Sequence, residues 1–139
     1  MPTAFVDSDV IISSLLSEKG ASFFLFSQTK IDLFISSLSL KELKIVVKRL
    51  GIEEYKLDTL MEKRLKVVTL KGTKREIEKK FQNYVLDQDD THIIAGACEA
   101  KVKFLLSYNL RHFRKEKIKE DFKIILLTPA SFLQYLRSQ

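Results

Sequence analysis

The sequence predicts an α/β fold with a mainly parallel central sheet of about four to five strands and helices on both faces. Short apolar runs of strand length alternate with longer segments in which apolar residues recur at helical spacing. The composition is 45% hydrophobic and 30% charged with only 4 Gly and 2 Pro, which is typical of an ordinary globular protein. At 139 residues we expect a single domain over residues 1–139.

The predicted strands are too short for helices and are bounded by polar residues. The first and the last two are mainly apolar, as in strands that are buried on both faces of a parallel sheet. They comprise residues 3–6, 31–35, 66–70, 103–107 and 123–127.

Signals for helix ends mark the segments between these strands. Ser8, Thr73 and Asp90 are placed to open helices, and Ser39 with Glu42 forms a capping-box pattern. The helix after Asp90 is rich in small residues and could pack closely on a sheet. The predicted helices cover residues 8–20, 21–29, 39–51, 53–65, 73–84 and 90–98, a short segment between the last two strands, and a final helix from near residue 129.

Charge and cysteine content narrow the classes of function. Lys and Arg exceed Asp and Glu by 24 to 18, an excess that favours a polyanionic partner such as nucleic acid but equally suits a solvated, lysine-rich surface. No apolar run approaches the roughly 20 residues of a membrane span, and the first residues do not resemble a signal peptide. The single cysteine, Cys98, cannot form a disulfide within the chain and is expected to be a buried small hydrophobe. From the lone cysteine and the unlikeness to a signal peptide we expect a cytoplasmic protein.

Acidic residues follow the predicted strands at the edge where ligands gather in parallel sheets. Asp7 and Asp9 follow the first strand, Glu42 lies in the first turn of the helix after the second, and Asp89 and Asp90 precede the helix that leads into the fourth. Each acid alone is also explained as a helix-end residue. Together they would repel one another unless a hard cation such as Mg²⁺ or Mn²⁺ neutralised them. Such an ion can activate water against a phosphodiester.

Blocks of sequence along nearly the whole chain match a known pattern. In order they are Phe5-Val6-Asp7-Ser8-Asp9-Val10, Ser37-Leu38-Ser39-Leu40-Lys41-Glu42-Leu43, Asp90-Thr91-His92-Ile93-Ile94-Ala95-Gly96-Ala97, Leu105-Leu106-Ser107-Tyr108-Asn109-Leu110-Arg111-His112-Phe113 and Thr128-Pro129-Ala130-Ser131-Phe132-Leu133. With these blocks the chain resembles a PIN domain. The resemblance implies a three-layer α/β/α fold and a metal-dependent ribonuclease.

The resemblance also implies roles for individual residues. Asp7, Glu42 and Asp90 would be catalytic and would hold Mg²⁺ or Mn²⁺, while the Ser107 hydroxyl would help to order the site. Asn109 stands where many members have Asp, so it is a poorer metal ligand and leaves the site less negative by one charge. Asp9 supports the site, and its position in the family often holds Asn, which suggests a hydrogen-bonding role.

Basic residues and histidines lie beside these blocks. Arg111, Arg114 and Lys115 are candidates for contact with RNA phosphates, although solvated charge explains them comparably well. His92 and His112 are expected to have ordinary surface or helix-flank roles, since neither is accompanied by a second nitrogen or sulfur ligand at metal-site spacing.

The leading hypothesis is an endoribonuclease similar to VapC-type toxins, which would pair with a small antitoxin and form a homodimer. A second hypothesis keeps the fold but treats the chain as a catalytically weak or inactive RNA-binding or protein-interaction module, because Asn109 lowers the charge at the site. A phospho-acceptor receiver domain ranks third. Receiver domains have a Lys-Pro pair after the last strand, whereas this chain has Thr128-Pro129, which is why this hypothesis ranks last.

Overall fold

The computed structural model describes residues 1–139 and contains one five-stranded sheet in which every neighbouring pair of strands is parallel. The strand order is β3-β2-β1-β4-β5, so the first strand lies at the centre. This arrangement confirms the predicted α/β class and parallel sheet. The strands are β1 (Thr3–Val6), β2 (Asp32–Ser36), β3 (Leu65–Val68), β4 (Phe104–Leu106) and β5 (Ile125–Leu127).

Helices cover both faces of the sheet. One apolar core lies between the sheet and α1, α2, α3, α4 and α8, and a second lies between the sheet and α5, α6 and α7. None of these helices is both long and apolar enough to cross a bilayer. The helices are α1 (Ser8–Leu16), α2 (Ala21–Phe26), α3 (Ser37–Arg49), α4 (Glu54–Arg64), α5 (Lys74–Phe81), α6 (Thr91–Glu99), α7 (Lys115–Phe122) and α8 (Pro129–Arg137).

Two predicted helix caps were wrong, and each observed cap lies earlier in the chain than the predicted one. Asp7, not Ser8, caps α1 by accepting the Ser8 backbone N–H at 2.8 Å. The predicted capping box of Ser39 with Glu42 does not form, because the Ser36 side chain accepts the Ser39 N–H at 3.0 Å. Strand β2 runs directly into α3, so the cap is the last residue of the strand. Glu42 therefore lies in the second turn of α3, not the first, and makes no capping contact.

Other predicted boundaries differ by up to four residues, and α1 ends at Leu16 rather than near residue 20. Helix α2 ends at Phe26 rather than near residue 29, and the helix capped by Thr73 ends at Phe81 before a short 3₁₀ turn. The Thr73 cap itself is confirmed and includes a full capping box with Glu76. Cys98 is only partly buried, because the side of α6 that it occupies is open to solvent.

Close packing of α6 on the central strand depends on a glycine. Phe5 and Gly96 are both buried, and a Cβ atom added to Gly96 would lie 2.5 Å from the Phe5 ring. That distance is far inside van der Waals contact, so any side chain at position 96 must displace the ring or the helix. The predicted close approach of this small-residue helix is confirmed.

Replacement of this glycine tests the packing. Gly96→Ala should gain roughly 1 kcal/mol from helix propensity but lose more to overpacking, for a net fall of about 1 to 2 kcal/mol in the free energy of unfolding. Chemical denaturation of the purified protein measures the change. Gly20→Ala is the control, because a Cβ atom there meets nothing within 4 Å. A Gly96→Ala protein as stable as the wild type would contradict the close approach.

Candidate functional site

The register of the two central strands places Asp7 beside Ser107. Val6 pairs with Leu106, and the Asp7 backbone N–H donates to the Leu106 carbonyl at 2.9 Å. The next residue on each strand therefore lies at the same level, and the buried Ser107 hydroxyl donates to Asp7 Oδ2 at 2.8 Å. Two residues that are 100 positions apart in sequence thus meet at the carboxyl edge of the sheet.

Asp9 is held by the loop that follows β4. Its Oδ2 atom accepts the Tyr108 backbone N–H at 3.0 Å and the Asn109 side-chain amide at 3.0 Å. The Ser107 hydroxyl lies 3.4 Å from the same oxygen. Asn109 also donates its backbone N–H to the Ser107 hydroxyl at 3.0 Å. Asp7 and Asp9 are therefore joined through one short loop.

Asp90 and Glu42 approach this edge from α6 and α3, and each contacts a histidine. His92 Nε2 lies 3.5 Å from Glu42 Oε1, and His112 Nδ1 lies 3.6 Å from Asp90 Oδ2. Asp90 occupies the capping position of α6, but its side chain makes no capping hydrogen bond. Neither Glu42 nor Asp90 is therefore used to satisfy a helix end.

Burial raises the pKa values of Asp7, Asp9 and Asp90, and repulsion from neighbouring acids adds to the effect at Asp7 and Asp90. Burial and the nearby charge of Asp9 together raise the pKa of Asp7 to about 6, against hydrogen bonds from Ser107 and Ser8. Burial also raises the pKa of Asp9, opposed chiefly by the Tyr108 hydrogen bond. The pKa of Asp90 is raised by burial and lowered by His112. No Lys or Arg forms an ion pair with these three carboxylates.

The donors at this edge are those of a site for a hard divalent cation. They are carboxylate oxygens without a protein cation, and Asp9 Oδ1 is buried without a hydrogen-bond partner. No three His, Cys, Asp or Glu side chains converge at metal-binding distances in this arrangement. Glu42 has a side chain that is 55% exposed, so it is free to turn towards an ion beside Asp7 and Asp90. The residue types thus fit Mg²⁺ or Mn²⁺, and the side chains would have to close around it.

Two histidines and a tyrosine contact residues of the site, and none of the three was predicted to do so from the sequence. Both histidines were expected to have ordinary roles, yet each lies against an acid of the edge. The backbone of Tyr108 holds Asp9, and its hydroxyl lies 2.5 Å from the Ser22 hydroxyl in α2. Only the position of Tyr108 next to Ser107 in sequence could have indicated its part.

The basic residues expected to contact RNA are all exposed. Arg111 lies in the 3₁₀ turn Leu110–His112, between Asn109 and His112, which both contact site acids. Arg114 and Lys115 follow at the start of α7. The carboxyl edge of the sheet therefore carries buried negative charge with exposed positive charge beside it.

Three solved structures are similar to this chain over most of its length. The crystal structure of VapBC2 from Rickettsia felis bound to a promoter DNA fragment matches with a TM-score of 0.63 and 15% identity, over 91% of this chain and 98% of that one. A toxin-antitoxin complex from Klebsiella pneumoniae gives a TM-score of 0.66 at 16% identity, over 91% and 97%. FitAB bound to an IR36 DNA fragment gives 0.61 at 16%, over 91% and 94%. At these identities the likeness establishes the fold.

The sequence itself matches a family model. No curated protein sequence matches the chain. The model of the PIN domain, however, matches residues 3–111, which include β1, the segment that carries Glu42, the start of α6 and the loop after β4. This match covers well over half of the chain and includes every acid of the candidate site. The chain belongs to the PIN-domain family.

Proposed function

We propose that this protein is a divalent-metal-dependent endoribonuclease that acts as the toxin of a type II toxin-antitoxin pair. The observation that carries the proposal is the group of Asp7, Asp9 and Asp90, three carboxylates with raised pKa values that no lysine or arginine pairs with. Burying such a group destabilises the protein unless a cation offsets the negative charge, and a bound metal ion would supply that cation. Membership of the PIN-domain family supports a nuclease.

The residues of the chain have distinct parts in this proposal. Asp7, Glu42 and Asp90 would hold Mg²⁺ or Mn²⁺, and the Ser107 hydroxyl orients Asp7 through its 2.8 Å hydrogen bond. When bound, the ion supplies Lewis-acid activation of water and offsets the negative charge that develops on the phosphodiester. Arg111, Arg114 and Lys115 would bind the phosphates that flank the scissile bond.

A groove beside α1 and α2 is the surface on which we expect a protein partner to bind. The groove lies between these helices and α4, is walled by Leu15, Phe23 and Leu60, and has a volume of about 400 Å³. Lys63 and Arg64 also line it, and Arg64 Nε is buried without a partner. A segment with apolar and acidic side chains would satisfy both features. We propose a small antitoxin for this groove, with a cytoplasmic homodimer of the toxin as the active form.

One observation favours a second function, a PIN domain that binds RNA without cutting it. No three potential ligands converge in the structure, and Asn109 carries no charge where an acid would add one. Isothermal titration with Mn²⁺ separates the two functions. Binding of RNA without binding of millimolar Mn²⁺ would select the second function.

Removal of one carboxylate tests cleavage. Asp7→Asn keeps the size of the side chain and a hydrogen-bond acceptor but removes the charge nearest Ser107. RNA cleavage in Mn²⁺ or Mg²⁺ should fall by about a hundredfold or more, as expected when a metal ligand is lost. Gel assays with labelled RNA measure the rate. Asp58→Asn, on the exposed surface of α4, is the control and should cut like the wild type. Equal cleavage by wild type and Asp7→Asn would attribute the activity to a contaminant.

The raised pKa of Asp7 predicts a dependence of stability on pH in the metal-free protein. The folded protein keeps the Asp7 proton up to about pH 6, while the unfolded chain loses it near 3.8. The folded state binds more protons between these values, so stability from this residue falls as the pH rises from 3.8 to 6. In chelator at neutral pH, Asp7→Asn should therefore be more stable than the wild type by roughly 1 to 3 kcal/mol.

Thermal unfolding at two pH values measures this effect. The advantage of Asp7→Asn should shrink at about pH 4, where the wild-type carboxyl is protonated in the folded state. Added Mn²⁺ should raise the melting temperature of the wild type and leave that of the variant nearly unchanged, because only the wild type has the ligand. A stability difference that is the same at both pH values would contradict the buried Asp7 carboxylate.

The exposed cations predict a change in the salt dependence of RNA binding. Replacement of Arg111, Arg114 and Lys115 by Gln should reduce the slope of log affinity against log salt by about 2 if all three contact phosphates of a single strand. Fluorescence anisotropy with Asp7→Asn as the non-cutting background measures the slope. The control replaces Lys30, Lys101 and Lys103, which lie near the amino edge of the sheet. Equal slopes for the two triple variants would indicate a diffuse charge effect.

A further inference from the structure

Asp9 is held by hydrogen bonds, and no lysine or arginine pairs with it. It lies in the first turn of α1, where the helix dipole favours an anion. Its Oδ2 atom accepts two N–H groups, from the Tyr108 backbone and the Asn109 side chain, both at 3.0 Å. Neither donor is charged. The carboxylate is thus held in one orientation while its charge stays unneutralised.

The other oxygen of this carboxylate has no partner. Asp9 Oδ1 is buried and accepts no hydrogen bond, although a buried carboxylate oxygen ordinarily accepts at least one. Asp7 is close by, since its Oδ2 atom and Asp9 Oδ2 both lie within 3.4 Å of the Ser107 hydroxyl. That hydroxyl has one hydrogen, and the shorter contact of 2.8 Å assigns it to Asp7. Asp9 Oδ1 is therefore a buried oxygen without a partner, in a carboxylate that lies beside Asp7.

Asn109 is suited to orient Asp9 because it is an amide. Its Nδ2 atom donates to Asp9, and its backbone N–H donates to the Ser107 hydroxyl. A carboxylate at position 109 would replace this donor by a second negative charge about 3 Å from Asp9, a repulsive contact. An acid at position 9 and an amide at position 109 therefore form a matched pair.

We propose that Asp9 supplies a carboxylate ligand to the divalent ion through Oδ1, and that Asn109 is its positioning residue rather than a ligand. This inference rests on the proposed metal-dependent function. On this inference Asn109 does not leave the site short of a negative charge, because Asp9 carries that charge instead. The two positions together carry one negative charge, which Asp9 bears in this chain and which the Asn109 amide orients.

A charge swap between the two positions tests the inference. Asp9→Asn should weaken Mn²⁺ binding by about tenfold or more, because it removes a ligand but retains an acceptor for Tyr108. The double variant D9N/N109D restores one acid and one amide in contact, so its Mn²⁺ affinity should return to within about threefold of the wild type. Isothermal titration measures the affinities, and melting temperatures in chelator complete the cycle.

The single variant Asn109→Asp serves as the fourth corner of the cycle. It should lower the melting temperature in chelator, since it places two carboxylates in contact, and the added Asp9→Asn change should reverse that loss. Asp58→Asn is the control, because it removes an exposed acid from α4, a helix that carries no residue of the site. Its Mn²⁺ affinity should stay close to that of the wild type.

Two outcomes overturn the inference while leaving the proposed function intact. In the first, the wild type and Asp9→Asn bind Mn²⁺ equally well. In the second, D9N/N109D binds no more tightly than Asp9→Asn, so the positions do not share a charge. If the wild type itself binds no Mn²⁺, the proposed metal-dependent function fails and this inference fails with it.

Discussion

The parallel pairing of β1 with β4 is the constraint on which the candidate site depends. It fixes Val6 opposite Leu106, and one further residue on each strand brings Asp7 and Ser107 together at the edge of the sheet. The loop after β4 then passes over the first turn of α1, where its backbone and side chains bind Asp9. A shift of the register by one residue would separate the serine from the carboxylate and turn the strand's side chains to the opposite faces.

Structural and chemical roles coincide in Asp7 but are separate in the other acids. Asp7 Oδ1 caps α1, while Oδ2 faces Ser107, so one carboxylate both starts a helix and contributes to the site. Glu42 and Asp90 make no capping hydrogen bond. Hydrogen bonding at a helix end therefore does not explain their positions at this edge. The raised pKa values of Asp7 and Asp90 show that their charged forms destabilise the folded protein. Acids of this kind are typical of functional sites.

Most of the fold could be predicted from the sequence, because buried parallel strands are short apolar runs and most helices here begin or end at recognisable residues. The start of α3 could not, since Ser36 and Ser39 are both plausible caps and only the absence of a loop after β2 decides between them. In the site, the position of Asp7 followed from its place after a strand. Two contacts in the site, that of His92 with Glu42 and that of Asn109 with Asp9, join segments that are far apart in the sequence. Local sequence patterns could not predict them.

The missing side chain of Gly96 has a consequence for the opening of the site. It lets α6 lie directly on Phe5, two residues before Asp7, and Asp90 stands six residues earlier at the start of the same helix. Six helical residues span about 9 Å, so the depth at which α6 rests on the strand sets how near its first residue comes to the end of that strand. The distance between Asp7 and Asp90 at this edge of the sheet thus depends on the absence of a side chain at position 96. Variation at this buried position would tune the aperture without changing any residue that lines it.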